Sequence, residues 1–264
     1  MGVTRLEDYY ADPGRVLSIE FWPPKTEIGE RNLFAELERL RKLNPAFCSM
    51  TYGAGGSTRD KTVELVSRIE REFGLDMMCH LTVVGQSRAE VRAVLDQLRA
   101  NDVRNIIALG WDGGGQFSVA VAGFPEVHPR ATSRESDLRY LKAKVDAGAA
   151  VVITQLFFDN DDFYRFVDDA RRIGIEVPIV PGMLPIRSAA QARRFTAMCG
   201  ARIPAKLDAL LATVEDDDAA AVQLGIDYTT EQCEQLLRFG VPGFHFYSLN
   251  RADALLEIHR RLGL

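Results

Sequence analysis

Short apolar segments recur eight times along this chain, with helix-like stretches between them, and that rhythm limits the fold more than any other feature. The strand-like segments are residues 17–22, 47–52, 77–84, 105–109, 119–124, 151–157, 178–184 and 243–249. They are rich in Val, Ile and Phe and almost continuously apolar, as strands covered on both faces should be. Helical patterns follow at 26–44, 59–73, 88–100, 133–147, 161–173, 188–198, 204–213, 219–239 and 251–262. Leu33, Leu37 and Leu40 form the inner face of the first, and Val63, Val66, Ile69 and Phe73 that of the second. Eight strands alternating with helices specify a (β/α)8 TIM barrel, here a single domain over residues 1–264. A doubly wound open sheet would need a glycine-rich fingerprint after an early strand. GAGGST at 53–58 is not GxGxxG, and no P-loop lysine follows it.

The rhythm fails once. Between Leu109 and Val119 lie only the nine residues GWDGGGQFS. Nine residues reach at most about 30 Å, enough for a bare return but short of a helical crossover. The barrel therefore has a short, helix-less connection between its fourth and fifth strands.

Composition narrows the function classes. A net charge of −5 argues against a nucleic-acid partner, and no apolar run approaches the ~20 residues of a membrane helix. The N-terminal stretch reads as neither a signal nor a transit peptide. The four cysteines form no CxxC pair, zinc pattern or disulfide framework. The expectation is a cytoplasmic protein with reduced thiols, compatible with a homo-oligomer.

A barrel places function at the C-terminal ends of its strands. Glu20 stands at the first such end, where Pro23-Pro24 stops the strand. Thr51, His80, Asp112, His128, Gln155, His245 and Asn250 fall in or just beyond later ends, with Arg251 beside them. So many polar residues converging on one rim indicate a binding cavity rather than isolated structural pairs. The residues do not name a chemistry. There is no HExxH, no serine elbow and no lysine within a strand.

The words SIEFWPPK, SMTYGAGGSTRD, CHLT, FPEVHP, KVDAGA, ITQLFFD, PGMLPI, RIP and FHFYSLNR, in this order, closely resemble the methylenetetrahydrofolate reductase family. The resemblance implies a barrel that reduces 5,10-methylenetetrahydrofolate to 5-methyltetrahydrofolate with NADH or NADPH, usually through FAD. It implies that Glu20 is the general acid, its pKa raised by burial, and that Asp112 binds the pterin beside the flavin. Gln155, Gln191, Phe195 and Arg251 fall on substrate positions. Thr51, His80, His128, Asp137 and Lys144 fall on flavin-contacting ones.

Departures from the family pattern cluster on the flavin side. Arg-Gly-Asp is replaced by Gly110-Trp111-Asp112, the loop and helix that cradle FAD are missing, and Phe124 replaces a tyrosine. The expectation is folate chemistry by direct hydride transfer from the nicotinamide, with FAD bound weakly or not at all and Trp111 occupying its space or stacking on the nicotinamide. An FAD-dependent ping-pong reductase, a non-catalytic folate-binding barrel and another barrel activity such as a lyase are the alternatives. The family's C-terminal regulatory domain is not expected, nor is inhibition by S-adenosylmethionine.

Overall fold

The computed structural model describes residues 4–11, 14–52, 59–82, 86–109 and 117–264. The strands are β1 (Val16–Phe21), β2 (Phe47–Met50), β3 (Met77–Thr82), β4 (Asn105–Leu109), β5 (Ser118–Gly123), β6 (Val151–Thr154), β7 (Ile179–Val180), β8 (Gly182–Met183) and β9 (Gly243–Tyr247). The helices are α1 (Leu6–Tyr9), α2 (Glu27–Leu40), α3 (Arg59–Phe73), α4 (Arg88–Ala100), α5 (Arg134–Asp146), α6 (Asn160–Arg172), α7 (Ala189–Cys199), α8 (Ala205–Ala212), α9 (Asp218–Phe239) and α10 (Asp253–Leu262).

All strand pairs are parallel, in the order β7-β6-β5-β4-β3-β2-β1-β9-β8. The two strands at the ends of that order are separated in the chain only by Pro181, so the sheet returns on itself as the expected barrel. The seventh strand is thus two halves. Pro181 has no N–H to give, and its carbonyl accepts from His245 N–H at 3.0 Å. Gly182 N–H turns to the Thr154 hydroxyl at 2.9 Å. The chain changes partners at the proline, pairing with β6 before it and β9 after it.

Strand alternation sorts side chains into two layers. On β1, Ile19 and Phe21 pack against the helices, whereas Val16, Ser18 and Glu20 face the barrel interior. Leu6 of α1 plugs the N-terminal end against Val16, Phe47, Met78 and Val151. A third cluster joins Leu184 and Ile186 to α7 and α8 beside the opposite end. Helix ends follow local chemistry: Ser87 and Glu90 form a capping box on α4, Ser188 caps α7 and Asp217 caps α9.

Only eight residues separate Leu109 from Ser118, although β4 and β5 are parallel neighbours. Such a pair is ordinarily joined by a dozen or more residues in a helical crossover. Gly110, Trp111 and Asp112 in this connection, and the GAGGST turn, lie outside the described residues.

Candidate active site

Because Glu20, Ser18, His80, His245 and Tyr247 occupy interior-facing positions of β1, β3 and β9, period two brings them to one place. Glu20 is 6% exposed. Nε2 of His245 lies 3.4 Å from its Oε2, and Nε2 of His80 lies 3.0 Å from the same oxygen. The His80 contact lacks hydrogen-bond alignment, so this nitrogen has no hydrogen-bond partner among the described residues. The other His245 nitrogen, Nδ1, is 2.8 Å from Ser18 Oγ, which fixes the ring.

One expectation is corrected at this cluster. Burial, the largest single influence, does push the Glu20 carboxyl upward, but the charges and contacts of His80 and His245 together outweigh it and hold it down at about 2. Glu20 is therefore a carboxylate in the free protein, not a resting acid. Tyr247, which donates to the Thr154 carbonyl at 2.6 Å, is shifted well upward by burial and by its nearness to Glu20, and stays a neutral phenol.

Of these groups Glu20, His80 and Tyr247 line an inner cavity of about 420 Å³, with His245 and Ser18 buried behind them. Its walls are mostly apolar, with Ile107, Ile153, Leu156 and Leu184 among them, and Thr51, Gln155, Phe195, Met198 and Cys199 also line it. Gln155 accepts from Leu156 N–H through Oε1 at 2.8 Å. An outer basin of about 450 Å³ shares Trp22, Phe195 and Leu249 with the inner cavity. It carries Arg187, Arg194 and Gln191, with Asp218 opposing them. Gln191 Oε1 accepts from Arg187 N–H at 2.7 Å, while its Nε2 is buried with no partner among the described residues.

The structure thus brings together Glu20, Thr51, His80, Gln155 and Phe195, and sets Gln191 beside Phe195 in the outer basin. Arg251 lines neither cavity but an adjoining small one of about 70 Å³, which shares Tyr247 and Leu249 with the inner cavity and Arg187 and Leu249 with the outer basin. His128, Asp137 and Lys144 do not line the inner cavity. Asp137 accepts from His128 N–H at 2.9 Å, His128 Nδ1 accepts from Arg130 N–H at 3.0 Å, and Lys144 donates to the Ala122 carbonyl at 3.2 Å. Asp112 and Trp111 lie outside the described residues. Sequence reasoning passed over Tyr247, Trp22 and Leu249. The two-residue period from His245 to Tyr247 was the available signal for the first.

Fold and site together define a (β/α)8 barrel of the enzyme type, with its titratable groups gathered at the C-terminal rim beneath an apolar slot. The sequence model described as methylenetetrahydrofolate reductase matches residues 5–114 and 112–263. "Methylenetetrahydrofolate reductase (NADH) 1" of Arabidopsis thaliana is 38% identical, over 94% of this chain and 48% of its own length. "5,10-methylenetetrahydrofolate reductase" of Escherichia coli (strain K12) is 37% identical, over 94% of this chain and 90% of its own. The chain belongs to the methylenetetrahydrofolate reductase family. It spans about half the length of the plant relatives it matches.

Among solved structures, an uncharacterized Clostridium thermocellum protein, described as binding two copies of 5-methyl-5,6,7,8-tetrahydrofolic acid, superposes with a TM-score of 0.63 at 16% identity. The match covers 98% of this chain and 96% of that one. At that identity it shows a shared fold. No helix among the described residues is long and apolar enough to cross a membrane.

Proposed function

We propose that this chain reduces 5,10-methylenetetrahydrofolate to 5-methyltetrahydrofolate, with hydride passing directly from NADH and no bound flavin, and that the barrel alone is the catalytic unit. The observation that carries the reading is the buried Glu20 carboxylate, met by two imidazoles at the floor of an apolar slot walled by Gln155 and Phe195. A flat pterin fits the slot, with the Gln155 amide available to its polar edge. The outer basin's Arg187 and Arg194 suit the anionic end of a folate. The names of the family relatives, and the folate bound by the Clostridium protein, support the substrate; the plant names support NADH.

The chemistry needs a proton at N10. Its arrival breaks the bond between N10 and the bridging carbon, leaving a cationic N5=CH2 iminium. Hydride from the nicotinamide then reduces that carbon to a methyl group, and NADH becomes NAD+. Since Glu20 rests ionised, the proton reaches N10 by way of Glu20 and the two imidazoles set against it, His80 at 3.0 Å and His245 at 3.4 Å. After ring opening, the carboxylate faces the cationic iminium and stabilises it.

The flavin positions fit an FAD-bound site poorly. Of the five that the resemblance assigns, only Thr51 and His80 line the cavity, and His80 is set against Glu20. Asp137, His128 and Lys144 are engaged with backbone groups of the protein itself. Four free thiols suit a reducing, cytoplasmic setting.

The test is anaerobic NADH oxidation by protein stripped of flavin, with and without methylenetetrahydrofolate. Folate-dependent oxidation without added FAD supports both halves of the proposal. Activity only after FAD is restored keeps the reductase and removes direct transfer. No oxidation under either condition removes the reductase.

A further inference from the structure

Trp22 stands where the inner cavity opens into the outer basin. It is 40% exposed and meets Phe195 edge-on, with ring centroids 5.8 Å apart at 68°. It lies one residue past the end of β1, yet both of its backbone groups are paired, and by a single side chain. Trp22 N–H donates to Asn250 Oδ1 at 2.8 Å, and Asn250 Nδ2 donates to the Trp22 carbonyl at 2.9 Å.

The strand register explains this pairing. β1 and β9 are parallel, and their last backbone rung runs from Ser248 N–H to the Glu20 carbonyl at 3.2 Å. The next rung would use the Ser248 carbonyl and the Asn250 N–H. Both are engaged elsewhere: the carbonyl accepts from Arg251 N–H at 3.0 Å, and Asn250 N–H donates to Ser248 Oγ at 3.2 Å. The Asn250 carboxamide, with one acceptor and one donor like a peptide group, replaces the lost rung. Aspartate has no donor for it, and glutamine is one methylene too long. The geometry requires left-handed backbone at two consecutive positions, φ 50° at Leu249 and 56° at Asn250. Asparagine tolerates that conformation and leucine does so poorly. Leu249 itself lines both cavities, so the strained residue falls on the ligand wall.

We propose that Asn250 is a positioning residue. By replacing a rung of the barrel it fixes the Trp22 indole against Phe195, as a threshold that grips the aromatic middle of the substrate. The pterin then lies on the inner side and the anionic end on the outer. This rests on the folate-reductase reading above.

The test is Asn250→Gly, because glycine relaxes the left-handed backbone while removing both hydrogen bonds to Trp22. The variant is expected to melt at or above the wild-type temperature. With two hydrogen bonds lost at the threshold, Kd for 5-methyltetrahydrofolate and KM for methylenetetrahydrofolate should rise roughly tenfold with kcat nearly unchanged. Kd for a tetrahydropterin lacking the aminobenzoyl-glutamate portion should not move. In a Trp111→Phe background, where Trp22 is the sole indole, acrylamide quenching should increase. Asn250→Asp, which keeps the acceptor alone, should fall between. Wild-type affinity and quenching in Asn250→Gly would overturn the proposal, as would a lowered melting temperature with folate affinity intact. Failure of the wild-type protein itself to bind 5-methyltetrahydrofolate would sink the functional reading, and the substrate half of this one with it.

Discussion

Two imidazoles placed on one carboxylate oxygen decide how Glu20 behaves. Burial alone pushes the carboxyl upward; with the two imidazoles beside it, it stays ionised down to about pH 2. Glu20→Gln keeps the shape and removes the charge, so kcat should fall by about 10²–10⁴-fold. Folate affinity, measured by titration, should stay within a few-fold. His80→Gln removes one route for the proton, and the acid–base limbs of the kcat profile should move or vanish even where substrate still binds. Folded Glu20 titrates below its ordinary value of 4.5, so its stabilising contribution is present above that pH and is lost as pH falls towards about 2. Glu20 was legible in the sequence as an acid at a strand end. Its ionisation was not, because His80 and His245 lie 60 and 225 positions away and only the pairing of β3, β2, β1 and β9 brings them together.

At the scale of elements, boundaries set by caps and breakers were readable, and α3 and α4 fall where the apolar periodicity places them. The division of the seventh strand was harder to see, since a proline within an apolar run does not reveal which neighbour each half will pair with. Gly182, just after that proline, is pressed so closely that a Cβ would lie 2.1 Å from the Thr154 carbonyl and 2.5 Å from the Tyr247 hydroxyl. Gly182→Ala should cost about 1–3 kcal/mol or more in urea unfolding and distort the cavity floor. The turn after β5 supplies a second test. Glu126 has a buried carboxyl oxygen with no partner among the described residues, and burial together with nearby Asp162 pushes its pKa up to about 7. A raised carboxyl stabilises the fold at low pH and loses that contribution as pH rises. Glu126→Gln should therefore show a melting-temperature gain that opens above about pH 4.5 and is complete above about pH 7.

For the molecule as a whole, the two connected cavities bear on the order of events. If hydride moves directly, folate and NADH must be bound together, and initial-velocity lines at varied NADH and folate should intersect; a flavin relay would give parallel lines. Composition and strand rhythm gave away the barrel because eight buried strands leave a periodic imprint. The aromatic threshold left none, since it depends on a side chain replacing backbone at one rung. The same ring of strands has an uneven strength that follows from Pro181. Elsewhere neighbouring staves are joined over three to five paired positions, but the closing stave consists of two-residue pieces that each grip only one side. Amide protons of Ile179, Val180 and Met183 should accordingly exchange with deuterium sooner than those of β1 to β4. The barrel would then open first along this seam, like a hoop parting at its join, while the Glu20 side of the ring stays closed.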